Sequence, residues 1–378
     1  MGQIANLSVN WDNLTSVTQA RSKQAQANLQ AAISKGSPAR NYGPQSQAST
    51  QNDESHSLAD ATVHIPRSGS GDYDGTAAFD VSVHGRKLHA LNDNINEQSQ
   101  SLQQDAINDS PLVDAFIYEG YLESEYAGNT RPGANNLADQ HQGNNQTKKS
   151  IAASRTRMIE LGGHNDIYRK GSLIDVADIR SRTTAFNDQR QNLKQNAILN
   201  DQGYQQYGIL GASNLGSQTA DSTDELVTHS LVEVTAPLNE YNADSAIGTG
   251  TFFGGFQDIT SEGISGNFQF SEGSQVAVDA NFSGGNGEAF NVMPQAQWNT
   301  QNQDTRSTLE VNPRSFPSRD TAVSALNVNA TTANDNEQIQ VGSQVSEVAG
   351  FGAASNTGPA EQANVQKSIT VASVNFVF

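Results

Sequence analysis

Over the first 220 residues the apolar positions recur at steps of three and four, the spacing of one face of an α-helix. The steps are most regular over 172–200, where Ser172 and Asp175 form a capping-box variant ahead of the apolar series. We therefore predict a long helix near 172–200, with further helices over 14–35, 86–107 and 151–161 and one starting at Ser110. The residues on the long helix's seam are Val176, Ile179, Thr183, Phe186, Arg190, Leu193 and Ala197.

After residue 224 the pattern changes to short alternating runs separated by Gly, Asn and Ser, which is typical of β-strands and turns. The predicted fold class is therefore α+β. A helical N-terminal half precedes a mainly antiparallel β half, built as a sandwich or an extended sheet. The expected organisation is an N-terminal helix and polar arm over 1–60, a mostly helical domain over 61–223 and an acidic β-rich domain over 224–378. The predicted strands are 226–235, 250–257, 266–271, 275–282, 288–293, 307–312, 321–329, 338–347 and 368–378.

Two pairs of similar fragments occur in the chain. Gly133-Ala134-Asn135-Asn136-Leu137 is similar to Gly211-Ala212-Ser213-Asn214-Leu215, and Ala90-Leu91-Asn92-Asp93 is similar to Ile198-Leu199-Asn200-Asp201. The separations within the two pairs share no common period. Since solenoids show self-similarity at a fixed period, these fragments do not support a solenoid.

Composition limits the core and the partners. Hydrophobic residues make up 35% of the chain and charged residues 16%, so uncharged polar residues and glycine fill much of the sequence. Such side chains can pair with one another in stacked sheets and fibres. The net charge of -18 falls mostly after residue 223, and 224–305 contains no Lys or Arg. We therefore expect no nucleic-acid binding by the C-terminal half, because its surface repels phosphate.

The motifs that mark common catalytic sites are missing from the sequence. It has no Cys, no His-Glu-x-x-His run and no Gly-x-Ser-x-Gly, and Gly248-Thr249-Gly250 is not followed by Lys. We predict a protein that is not an enzyme and holds no cofactor. Asp72 and Asp74 resemble a fragment of a calcium loop that Asp80 could join, so weak calcium binding is kept as an open expectation.

The C-terminal residues alternate between apolar and polar, with Val374, Phe376 and Phe378 on one face. The pattern indicates a terminal strand that pairs within its own sheet or with the open edge of a neighbouring subunit. Together with Val176, Ile179, Phe186 and Leu193 of the predicted long helix, these residues are the candidate subunit contacts.

These features predict a structural subunit that binds copies of itself in a homo-oligomeric assembly, as a virion coat or tail or an extracellular filament. Two alternatives remain: an adhesin or ligand-binding β domain on a helical stalk, and an outer-membrane-type barrel, whose closing strand also ends in phenylalanine. No signal peptide and no apolar run of transmembrane length is found. A virion or extracellular location is expected, and a cytoplasmic one stays open.

Overall fold

Parallel β-strands make up the regular structure of this protein. The computed structural model describes residues 4–34, 38–65, 78–110, 133–160, 168–201, 210–235, 251–281, 286–312, 321–349 and 351–376, and within them every regular element is a strand. The strands are β1 (Ile4–Trp11), β2 (Leu14–Ser34), β3 (Ala39–Ile65), β4 (Ala78–Ser110), β5 (Gly133–Glu160), β6 (Tyr168–Asp201), β7 (Leu210–Thr235), β8 (Thr251–Asn281), β9 (Asn286–Val292), β10 (Gln295–Asn312), β11 (Thr321–Ala349), β12 (Phe351–Thr357) and β13 (Ala360–Phe376).

The strands form two sheets between which the chain alternates. Sheet A has the order β1-β4-β6-β8-β11, with β2 also paired to β4. Sheet B contains β3, β5, β7, β9, β10, β12 and β13. Each pass along sheet A is followed by a return along sheet B, so the chain builds a β-solenoid-like stack of five layers. Three of the ten passes are divided into two strands, β1 with β2, β9 with β10 and β12 with β13. All pairings between neighbouring layers are parallel and, apart from one shift at Phe79/Asp80 and single skipped residues, in continuous register.

The predicted helical N-terminal half is wrong. The segments 14–35, 86–107, 151–161 and 172–200 fall in β2, β4, β5 and β6, apart from a few terminal residues that lie outside the strands or outside the described ranges. Ser110 is the last residue of β4, and the rest of the helix predicted from it lies outside the described residues. The antiparallel C-terminal half is also wrong, because β7–β13 pair only in parallel. The proposed division at residue 224 falls inside β7, and both sheets contain strands from either side of it.

A bulge within β6 accounts for the false helical spacing. Asp178 has a left-handed φ of 57° and no partner in the register. The inward-pointing residues are therefore even-numbered before Asp178 and odd-numbered after it. Val176 and Ile179 are consequently three residues apart yet both fully buried. Farther along, Phe186 points outward while Leu193 points inward, which no helix face would allow. The residues of the predicted helical seam therefore lie on two opposite faces of one strand.

The bulge recurs in four successive layers of sheet A. Lys87, Asp178, Asp258 and Asn327 stand side by side and have φ values of 51°, 57°, 53° and 55°. Asn and Asp occupy this region more readily than most residues. The Asn327 amide also donates to the Asp258 carboxylate at 2.8 Å, which ties two of the bulges together.

The chain is solenoid-like, although its sequence shows no fixed period. The period is missing because the layers have unequal lengths. Gly133–Leu137 pairs residue for residue with Gly211–Leu215, so that pair of similar fragments is a true structural repeat. In contrast, Ala90 pairs with Ser181 and Ile198 with Ile107, so the second pair of fragments is accidental. The segments joining the strands differ in length from layer to layer, and a fixed period in the sequence is therefore lost.

The space between the sheets has apolar ends and a polar middle. At one end of the strands lies a cluster that includes Val83, Leu88, Ile174, Val232 and Phe256. The opposite end is lined by alanines and Leu199. Between them the buried positions are mostly Asn, Gln and Ser, interrupted by a small cluster of Leu102, Ala138 and Leu193. Buried amides on this scale require hydrogen-bond partners, which the neighbouring layers supply.

Candidate assembly interface

Glutamines of sheet A form ladders that run through all five layers. In one ladder each Nε2 donates to the Oε1 of the preceding layer at distances of 3.2, 3.0, 2.8 and 2.7 Å. A second ladder has distances of 2.7, 2.8, 2.6 and 2.8 Å. Aligned amides of this kind are the stabilising feature of cross-β structure. The members are Gln24, Gln98, Gln189, Gln269 and Gln338 in the first ladder, and Gln30, Gln104, Gln195, Gln275 and Gln344 in the second.

Asparagines form a corresponding ladder in sheet B, with the opposite hydrogen-bond direction. Each Nδ2 donates to the Oδ1 of the following layer at 2.9, 2.8, 2.9 and 2.9 Å. The stack therefore has a direction: ladder glutamines donate toward its N-terminal end and ladder asparagines toward its C-terminal end. The members of this ladder are Asn41, Asn136, Asn214, Asn291 and Asn356.

The ladder amides also bind the two sheets to each other. Gln98 donates to the backbone carbonyl of Gly143 at 3.0 Å, and Gln269 donates to that of Trp298 at 3.1 Å. A glutamine in the middle of a ladder thus uses one N–H along the stack and another across it. This double use satisfies polar groups whose burial would otherwise cost about 1–3 kcal/mol each.

The stack ends in two open edges. We call β1, β2 and β3 the N-terminal edge and β11, β12 and β13 the C-terminal edge; among the described strands, each of these has a sheet neighbour on one side only. Edge strands present unpaired N–H and C=O groups that can template another strand. Large apolar side chains lie exposed at both edges, such as Ile33 (71% exposed) and Leu29 at the first and Val345 and Val365 at the second.

Three ionisable side chains of the described residues, Lys148, Asp224 and Asp279, are fully buried inside the stack. The Lys148 ammonium has no exposed area and lies 2.7 Å from an Asp53 carboxylate oxygen. Burial lowers the pKa of Lys148, and the hydrogen bond with Asp53 opposes that shift. Asp224 occupies a position where its neighbours in the adjacent layers are Gln146 and Gln301. Burial raises the pKa of Asp224 to about 7, although it accepts a hydrogen bond from Ser265 at 2.8 Å.

The structure distributes the predicted subunit-contact residues between interior and surface. Val176, Ile179 and Leu193 are buried between the sheets of the same chain, whereas Phe186 is 45% exposed on the outer face. Val374 is exposed on edge strand β13, which also contains Phe376. Phe378 lies outside the described residues.

The calcium candidates are mostly beyond what the structure describes. Asp72 and Asp74 lie outside the described residues, and Asp80 is in β4. Within the described ranges, no group of three or more His, Asp or Glu side chains is placed to hold a metal ion. The same ranges contain no helix long and apolar enough to cross a membrane.

The ladders are the feature of this candidate interface that the sequence pattern did not reveal. Their signal was the period-two recurrence of amides, as in Asn92, Asn94, Asn96, Gln98 and Gln100, all of which point inward. Alternation is usually sought in apolar residues, so a strand with buried amides was not recognised. No protein-family model, no curated protein and no solved structure matches this chain.

Proposed function

We propose that this protein is a structural subunit that assembles with copies of itself by stacking at its open edges. The observation that carries the proposal is the five-layer stack itself, whose parallel sheets and amide ladders have edge strands at the first and last described layers that could pair with further strands. Each added copy would extend both sheets and ladders. Extending them pairs backbone groups and covers apolar side chains at the edges.

The direction of the stack favours a filament over a closed shell. The two edges are different surfaces, so contact between them is heterologous, and such contacts give open filaments unless the rotation between copies closes a ring. Parallel layers related by translation add little rotation beyond the sheet twist. We propose an extracellular or virion-borne setting for this filament, as expected for a protein rich in uncharged polar residues.

Mass per length tests the proposal directly. Layers in a parallel sheet are about 4.8 Å apart, so a five-layer subunit adds about 24 Å to a filament. Scanning transmission microscopy of purified filaments should give one 40.3 kDa chain per about 24 Å. Fibre diffraction should show the ~4.8 Å and ~10 Å spacings of cross-β structure.

Two results would contradict this function. One is a protein that stays monomeric in sedimentation at all salt and protein concentrations tested. The other is a filament with one chain per ~4.8 Å, because that spacing requires each chain to occupy a single layer and to have lost the five-layer fold.

A further inference from the structure

We propose that filament copies join head to tail in one register, the N-terminal edge of one copy docking on the C-terminal edge of the next. In this junction Arg21 and Lys23 of one copy face Asp335 and Glu337 of the other. This inference rests on the proposed function and specifies the partner surface, its register and its polarity.

The register follows from the columns of residues that cross sheet A. Through β4, β6 and β8, the column of Arg21 leads to Asp335 and the column of Lys23 leads to Glu337. A copy that continued the stack without a shift would place β2 beside β11 along these columns. Opposite charges would then become neighbours at the junction.

The charges at the two edges are complementary. Arg21 and Lys23 point outward with 65% and 71% of their side-chain area exposed, and both contact Glu97 of the next layer, at 2.7 and 3.1 Å. Asp335 and Glu337 are exposed and have no ion pair within the described part of the chain. A head-to-head contact would bring cations together, and a tail-to-tail contact would bring carboxylates together.

The amide ladders favour the same orientation. The Gln24 amide donates to the Ala48 carbonyl at 3.0 Å, which leaves a second N–H for an acceptor beyond the edge. In the proposed junction that acceptor is Gln338 Oε1. Asn356 similarly donates to the Gln344 carbonyl at 3.2 Å and has a second N–H for Asn41 Oδ1 of the docked copy. Two N-terminal edges would instead place Gln24 donors against each other.

Sheet B supports this register through its prolines. The columns of sheet B place Pro44 of a docked copy beside Pro359, as Pro294 already lies beside Pro359 within the chain. At this internal contact β9 is separated from β10, and β12 from β13. Proline has no backbone N–H to donate, so neighbouring prolines confine the missing ladder hydrogen bonds to one position in the sheet. The same register covers the exposed Val374 with Ala59 of the next copy.

Charge reversal tests the junction. The head variant carries Arg21→Glu and Lys23→Glu, and the tail variant carries Asp335→Lys and Glu337→Lys. Exposed ion pairs contribute only about 0.2–1 kcal/mol each, so they act mainly on orientation and on the rate of association. Each variant alone should elongate at least about tenfold more slowly than the unmodified protein in low salt.

Mixing the head and tail variants is the decisive experiment. A head variant has two acidic edges and a tail variant two basic edges, so the mixture should form filaments in which they alternate, at close to the original rate. A chain that had simply failed to fold could not be rescued in this way. The matched control is Glu225→Lys with Glu310→Lys, which changes the net charge as the tail variant does but lies on β7 and β10, away from the edges.

Cross-linking reports the register itself. The chain has no cysteine, so Ala25→Cys on one population and Ile339→Cys on another introduce the only thiols. These positions share a column and should form intermolecular disulfides in filaments. Val345→Cys, about 20 Å farther along β11, should not cross-link to Ala25→Cys.

The outcomes separate the two proposals. Assembly that ignores charge reversal and cross-links no better at Ile339→Cys than at Val345→Cys would overturn the junction and leave self-assembly standing. Failure of the unmodified protein to assemble at all would overturn the proposed function, and the junction with it.

Discussion

Asn136 donates a side-chain hydrogen bond to Asn214 across 2.8 Å, and the two asparagines occupy the same position in consecutive layers of sheet B. Asn214 donates in turn to Asn291 at 2.9 Å and to the Val276 carbonyl at 2.8 Å. A single buried amide thus connects three layers of one sheet and both sheets of the stack.

Replacing this amide should weaken the whole stack. Asn214→Ala removes three hydrogen bonds and leaves the Asn291 oxygen without its ladder donor, so we expect the free energy of unfolding to fall by about 2–4 kcal/mol. Denaturant unfolding in dilute solution measures the change. Thr219→Ala, on the outer face of the same strand, is the matched control and should cost less than about 1 kcal/mol. Equal losses in the two variants would show that the ladder has no special role.

The buried Asp224 predicts stability that falls as the pH rises. Its folded pKa of about 7 lies above the ordinary value of 3.8, so between these values the unfolded chain ionises while the folded chain keeps its proton. The penalty develops from about pH 4 to 7 and is complete above it, on the order of 2–4 kcal/mol. Beside its layer neighbours Gln146 and Gln301, Asp224 faces Ser265, which donates to it, and Lys148, whose ammonium lies 2.7 Å from Asp53.

Asp224→Asn should remove that pH dependence and raise the free energy of unfolding at pH 8 above that of the unmodified protein. Chemical unfolding at pH 5 and pH 8 gives both quantities. Glu225→Gln, the exposed carboxylate next along the strand, should leave the difference between the two pH values in place. An unchanged slope in Asp224→Asn would mean that another group titrates.

The left-handed position of Lys87 predicts a stabilising substitution. A lysine at φ 51° is strained, and glycine relieves the strain at some cost in chain entropy. Lys87→Gly should therefore raise the free energy of unfolding by about 0.5–1 kcal/mol, whereas Arg86→Gly, one residue earlier, should lower it by a similar amount. Thermal unfolding of the two variants tests this difference in sign. A loss of stability in both variants would show that the left-handed conformation of Lys87 is not strained.

Part of the candidate interface could be anticipated from the sequence. The alternation that includes Val374 and Phe376 predicted a terminal strand, and β13 is a strand that lies at the edge of sheet B. The strands predicted after residue 224 also fall largely within β7–β13, although they are pieces of much longer strands. In contrast, the residues before 224 favour helix by composition, since Ala, Gln, Leu and Arg all have good helix propensity. Packing between layers overrode that preference.

The sequence by itself determined a cysteine-free chain, rich in uncharged polar residues, with amides at alternate positions and no recognisable catalytic motif. Only the tertiary structure decided that those amides are buried. Gln98 is an unfavourable core residue until Gln189 and the Gly143 carbonyl lie next to it, more than forty residues away in the chain. Buried polar groups depend on partners that distant segments bring, so their place in the fold follows from the stacked layers and not from local pattern.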